Sequence, residues 1–144
     1  MPDLLVNTMF QWNIGYAVGV PQVDEEHKRL FALAESLHEA MLEGQGKAVL
    51  RDLLASLVAY TCHHFAHEEQ LMQRIGYPDY LRHREQHENL RSRALAMQDR
   101  AASGEITMTI EVMQFLMEWL KNHITTSDYQ IASYMKKSGR LAIR

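Results

Sequence analysis

Glycine and proline divide this chain into four long segments, and inside each of them apolar residues return every three or four positions. Gly44 and Gly46 close the first segment, Gly76 and Pro78 separate the second from the third, and Ser103-Gly104 closes the third. Glycine suits the left-handed turn that ends a helix and proline cannot continue one, so this punctuation marks helix boundaries. Pro21 and the acidic run Asp24-Glu25-Glu26 open the first stripe, formed by Leu30, Phe31, Ala34, Leu37 and Met41. Lys47 to Ile75 carries the second, with Leu53, Leu54, Leu57, Tyr60, Thr61 and Leu71. Pro78-Asp79 opens the third, where Tyr80, Leu90, Ala94, Met97 and Ala101 sit among arginines and glutamates. The fourth runs from Thr107 through Ile110, Met113, Leu116, Met117, Leu120 and Ile124, and continues weakly to Ile131 and Met135. This is the spacing of amphipathic helices, and strand-like alternation is hard to find.

Four long helices joined by short turns must lie antiparallel to their neighbours. The expected fold class is all-α, an antiparallel up-down-up-down four-helix bundle with an N-terminal arm. A length of 144 residues argues for a single domain. Residues 1–22 form the expected arm, 23–135 the bundle and 136–144 a basic tail. Phe10, Trp12, Ile14, Tyr16 and Val18 give the arm too much apolar surface for a solvated tail, so it should pack on the bundle. Lys136-Lys137-Ser138-Gly139-Arg140 reads as a solvated basic end.

A net charge of −3, with both signs mixed along the chain, argues against nucleic acid or anionic lipid as partner. No apolar run reaches the length of a membrane span, and Met1-Pro2-Asp3-Leu4-Leu5 does not open like a signal peptide, so a cytoplasmic protein is expected. Cys62 is the only cysteine, which excludes an internal disulfide framework; it reads as a packed helix residue.

Eight histidines are many for this length, and their placement is informative. His64 and Glu68 fall on the stripe of Leu57, Thr61, Leu71 and Ile75. His83 and His87 share a stripe with Tyr80, Leu90, Ala94 and Met97, His123 follows Leu120 by three residues, and His27 precedes Leu30 and Phe31. Five imidazoles therefore converge from four helices. A lone inward histidine is more often a hydrogen-bonded core residue than a ligand, but five with an accompanying carboxylate are costly to bury unless they coordinate cations. His63 and His67 align instead with Asp52, Ser56, Gln70 and Arg74, a polar stripe that should face water. His38, about 16 Å along the axis from His27, is expected to be structural.

At this point the sequence resembles the hemerythrin family. Val23-Asp24-Glu25-Glu26-His27-Lys28-Arg29-Leu30-Phe31 is similar to its first ligand segment and His64-Phe65-Ala66-His67-Glu68-Glu69 to its second. His83-Arg84-Glu85-Gln86-His87 is similar to its paired-histidine segment, and the stretch from Trp119 through His123 to Asp128 to its last. The resemblance implies His83, His87 and His123 on one iron, His27 and His64 on the other, and Glu68, Asp128 and a hydroxide or oxide bridging both. Periodicity supports the inward positions without assigning individual irons. It also raises one difficulty: His123 and Asp128 are five residues apart, about 140° out of phase on an α-helix, so the last helix should widen, bend or end there.

Five imidazoles, two bridging carboxylates and one bridging oxygen give eleven donor atoms, where two six-coordinate irons need twelve. The iron with two histidines keeps an open position, and a diatomic ligand fits it. The function implied by the family is reversible dioxygen binding for transport, storage or delivery to an oxygen-consuming enzyme. Dioxygen there takes one electron from each ferrous ion and a proton from the bridging hydroxide, and leaves by the reverse path. Reversibility needs a dry surround, for which Leu120, Trp119, Ile124 and Phe65 are the candidates, with Leu30 or Phe31 beside them. The alternatives are an oxygen or redox sensor and a di-iron oxidase or peroxidase. Two inward carboxylates and no second Glu-x-x-His pair on these faces argue against the enzyme, and no signalling module accompanies the domain. A monomer or weak homo-oligomer that is not an enzyme is the resulting expectation.

Overall fold

The computed structural model describes residue 10 and residues 12–44, 47–103 and 110–139. Residues 1–9 and 11 of the arm, Gly46, Gly104, Thr107, the side chains of Ile110 and Met113, and residues 140–144 of the tail lie outside the described residues. Three helices, α1 (Pro21–Leu42), α2 (Lys47–Ile75) and α3 (Tyr80–Ala102), are followed by a composite fourth. It begins as α4 (Ile110–Leu116), continues as a π-helix over Met117–Asp128 and ends as α5 (Tyr129–Lys137). The described chain is thus an all-α four-helix bundle in which α1 packs on α2 and α2 on α3.

The ends form where the sequence places its breaks. Pro21 occupies the first turn of α1, and the Asp24 carboxylate accepts the Val18 and Gly19 backbone N–H groups at 2.8 and 3.1 Å, tying the arm to the helix start. At the far end of α2, Gly76 takes φ +65°. The Gly76 N–H reaches the Gln73 carbonyl and the Tyr77 N–H the Met72 carbonyl, so two otherwise unpaired acceptors are satisfied. Tyr77 and Met72 then pack together, which seats the tight turn into α3.

Apolar residues gather in two regions. The larger holds Leu30, Phe31, Phe65, Leu90, Trp119 and Ile124, with Phe10 of the arm closing over it. The smaller, with an adjoining patch, holds Val23, Met72, Ile75, Tyr77, Ile131 and Met135. Along every helix a gap separates the two: between Val23 and Leu30 on α1, Phe65 and Met72 on α2, Tyr80 and Leu90 on α3, and Ile124 and Ile131 on the fourth. What fills the gap is polar.

Arm residues lie along α1. Tyr16 stacks on Phe31 with centroids 4.9 Å apart, and the Phe10 N–H donates to the Glu35 carboxylate at 3.1 Å. Phe10 meets the buried His38 edge-on.

Candidate metal centre

His27 from α1, His64 and Glu68 from α2, His83 and His87 from α3, and His123 and Asp128 from the π-helix form the layer between the two apolar clusters. None is more than 7% exposed, so water cannot solvate them and they must satisfy one another or a cation.

Their geometry is divided in two. Glu68 Oε1 lies 3.0 Å from His83 Nε2 and 2.9 Å from His87 Nε2, while Oε2 faces His64 Nε2 at 3.5 Å and His27 Nε2 at 3.9 Å. Asp128 repeats the pattern: Oδ1 is 3.0 Å from His83 Nε2 and 3.2 Å from His123 Nε2, and Oδ2 is 3.1 Å from His27 Nε2. The His27 and His64 Nε2 atoms are 3.0 Å apart. Each carboxylate therefore turns one oxygen to the His83/His87/His123 group and the other to the His27/His64 group. The donor atoms of each group lie within 4.8 Å of one another, close enough to hold a metal ion.

Proximity here is not hydrogen bonding throughout. Among the described residues, Glu68 Oε2, His87 Nε2, His123 Nε2 and both Asp128 oxygens are buried without a hydrogen-bond partner. Their separations are short but their directions do not match donor to acceptor, as expected of lone pairs aimed at a shared point.

Electrostatics favour the charged forms. Burial works against ionisation of Glu68 and Asp128, but the surrounding imidazoles outweigh it and hold both carboxyl groups far below the ordinary range. Burial likewise opposes protonation of His64, yet Glu26 and Glu68 raise it to about 10; Asp128 and Glu68 raise His83 to about 9 against the same opposition. A cation entering this layer would replace those protons.

The π-helix is what makes the set complete. Its i→i+5 ladder puts residues five apart on one face, so His123 and Asp128 both reach the centre. Thr125 and Thr126 hydroxyls donate to the Lys121 and Asn122 carbonyls, which gives the widened backbone additional donors.

Two carboxylates that sequence periodicity did not single out hold the rings from behind. Glu26 Oε1 accepts from His64 Nδ1 at 2.6 Å and Glu69 Oε2 from His87 Nδ1 at 2.8 Å, leaving both Nε2 atoms turned inward. Each adjoins a residue of the layer, Glu26 before His27 and Glu69 after Glu68, and that adjacency was the available signal. His67 departs from its expected water-facing role: it is half-buried, with Nδ1 2.6 Å from Glu26 Oε2, because α1 covers that side of α2. His63 is exposed, as its polar stripe suggests. His38 stands apart from both groups.

Phe65, Trp119, Leu120 and Ile124 are fully buried on the larger cluster's side of the layer. Phe65 stacks on His87 at 3.9 Å and meets Trp119 edge-on at 4.7 Å. The Trp119 indole N–H donates to Thr61 Oγ1 at 3.2 Å, and its ring lies 5.4 Å from that of His123.

Residues 18–134 match the family model described as the hemerythrin HHE cation binding domain. The chain belongs to the hemerythrin family. The bacteriohemerythrin of Stenotrophomonas maltophilia is 32% identical over 125 residues, covering 87% of this chain and 80% of that protein. The bacteriohemerythrin of Methylococcus capsulatus is 31% identical over 119 residues, covering 83% of this chain and 86% of that protein. A hemerythrin-like protein of Naegleria gruberi is also 31% identical, over 83% of this chain and 87% of its own. A crystal structure of a leucine-to-alanine hemerythrin mutant superposes with a TM-score of 0.79 at 27% identity, covering 85% of this chain and 93% of that one. A hemerythrin domain implies a di-iron site, and the buried histidine and carboxylate layer is the part of this chain able to bind metal.

Proposed function

We propose that this hemerythrin-family chain binds dioxygen reversibly at two iron ions. His83, His87 and His123 hold one, His27 and His64 the other, and Glu68, Asp128 and a hydroxide or oxide bridge them. The observation that carries this reading is the division of labour within each carboxylate, one oxygen to each histidine group. A second support is spacing. Neighbouring donors on an octahedral ion with bonds of about 2.1 Å are about 3.0 Å apart, whereas tetrahedral neighbours stand at about 3.4 Å. The donor separations of 2.9–3.2 Å among His83, His87, His123 and the two carboxylates centre on the octahedral value, while Glu68 Oε2 stands farther, at 3.5 and 3.9 Å, from His64 and His27.

Two ferrous ions so held would supply the electrons that dioxygen takes on binding and recover them on its release. The chain's own contribution is positional. Glu26 and Glu69 fix the His64 and His87 rings, and the smaller donor number on the His27/His64 side leaves room there for a diatomic ligand. Phe65, Trp119, Leu120 and Ile124 exclude the water whose protons would promote loss of reduced oxygen. Five imidazoles against two carboxylates favour a binder over a di-iron oxidase or peroxidase.

We read residues 1–144 as one such domain and place it in the cytoplasm. No described helix is long and apolar enough to cross a membrane. The test is visible absorption of the reduced, iron-loaded protein before air, after air and after argon flushing, with iron counted per chain. Colour that appears with oxygen and fades under argon supports the reading. Irreversible oxidation would replace it with a sensor or oxidase, and an iron-free protein would overturn it.

A further inference from the structure

Outside the bundle centre a third group of metal-binding side chains stands between α1 and α2, and no part of the oxygen-binding reading uses it as a ligand set. His63 and His67 are one helical turn apart on the same side of α2, with ring centroids 4.2 Å apart at an interplanar angle of 63°. Glu26 reaches across from α1, with Oε2 2.6 Å from His67 Nδ1. One donor atom from each of the three lies within 4.8 Å of the others.

We propose that Glu26, His63 and His67 form a separate surface site for a divalent transition-metal ion of the zinc, copper or nickel class. Two imidazoles one turn apart and one carboxylate from a neighbouring helix are the donor types these ions prefer, and the nitrogen share disfavours calcium or magnesium. Exposure is graded across the group: Glu26 is buried, His67 half-buried and His63 exposed. An ion would therefore be anchored on the protein side and open to solvent on the other, the arrangement of a site with three protein ligands and water. Binding through Nδ1 requires His67 to give up its hydrogen bond to Glu26 Oε2 and to carry its ring proton on Nε2 instead.

The site is linked to the centre through a single side chain. Glu26 Oε1 holds His64 Nδ1 at 2.6 Å while Oε2 faces the surface pair. A cation on Oε2 draws charge from the carboxylate and loosens its hold on the His64 ring.

Zinc chloride titrated into the iron-loaded protein at neutral pH, with zinc and iron both measured after equilibrium dialysis, tests the proposal. One zinc per chain beyond the iron is expected, with affinity at least about tenfold weaker in His63→Ala, whose exposed side chain can be removed without disturbing the core. His67→Ala should lose zinc in the same way. Equal uptake by the wild type and both variants, zinc that replaces iron one for one in all three proteins, or no uptake at micromolar free zinc would each overturn it. The comparison between wild type and His63→Ala reads the same whatever metal the centre carries.

Discussion

His123 and Asp128, five residues apart in sequence, meet in space: His123 Nε2 lies 3.2 Å from Asp128 Oδ1. An α-helix would hold them on different faces. The π-helical stretch that unites them is rarely so long, and the threonine hydroxyls on its carbonyls help to keep it.

Asp128→Ala should therefore lose roughly half or more of its iron after desalting, while the helical circular dichroism is retained. Glu68→Ala should behave alike, since each carboxylate serves both histidine groups. Iron content at the wild-type level in either variant would contradict the bridging assignment.

Glu26→Gln keeps the size of the side chain and removes the charge that holds His64. Iron affinity measured by chelator competition should fall about 10- to 100-fold, in the range found when partners behind a ligating histidine are changed. Glu69→Gln should do the same through His87, with the Arg91 contact to residue 69, an ion pair at 3.3 Å, reduced to a neutral acceptor.

Thr61→Val leaves the buried Trp119 indole N–H without its acceptor. Urea unfolding should show a loss of about 1–3 kcal/mol. Because Trp119 packs against both Phe65 and the His123 ring, the same change should speed oxidation of the oxygenated protein in air.

The metal-free protein should lose stability as pH rises. His64 and His83 carry folded-state values of about 10 and 9, above the ordinary 6.5 of an unfolded histidine. Their stabilisation is complete below pH 6.5 and disappears as pH climbs through 9 and 10. Melting of the chelator-treated protein should accordingly drop by several degrees between neutral and alkaline buffer. The carboxylates act in the opposite sense: Glu68 and Asp128, held far below their usual values, stabilise the fold above the ordinary carboxylate range and cease to do so only in strong acid. An apoprotein with flat stability from pH 6.5 to 10 would contradict this balance.

The helices were legible because glycine and proline stand where each one stops, and six residues of the buried polar layer because their spacing falls on or beside apolar stripes. Asp128 was not legible that way. Its spacing from His123 places it on the wrong face of an α-helix, and only the family resemblance brought it back, together with the demand for a local distortion. Glu26 and Glu69 were hidden for a different reason: an acidic residue on a helix flank reads as solvated until the neighbouring helix is known. His67 was misread on the same account, since a polar stripe faces water only if nothing packs over it.

The polar layer cuts the apolar interior into two parts, and each helix runs through both. If iron holds that layer together, then a newly made chain without it carries buried donors and acceptors without partners across its waist. Such a chain opens more often and is cut sooner by proteases, so its survival in a cell would follow the iron supply. Abundance itself would then record how much iron was at hand when the chain was made.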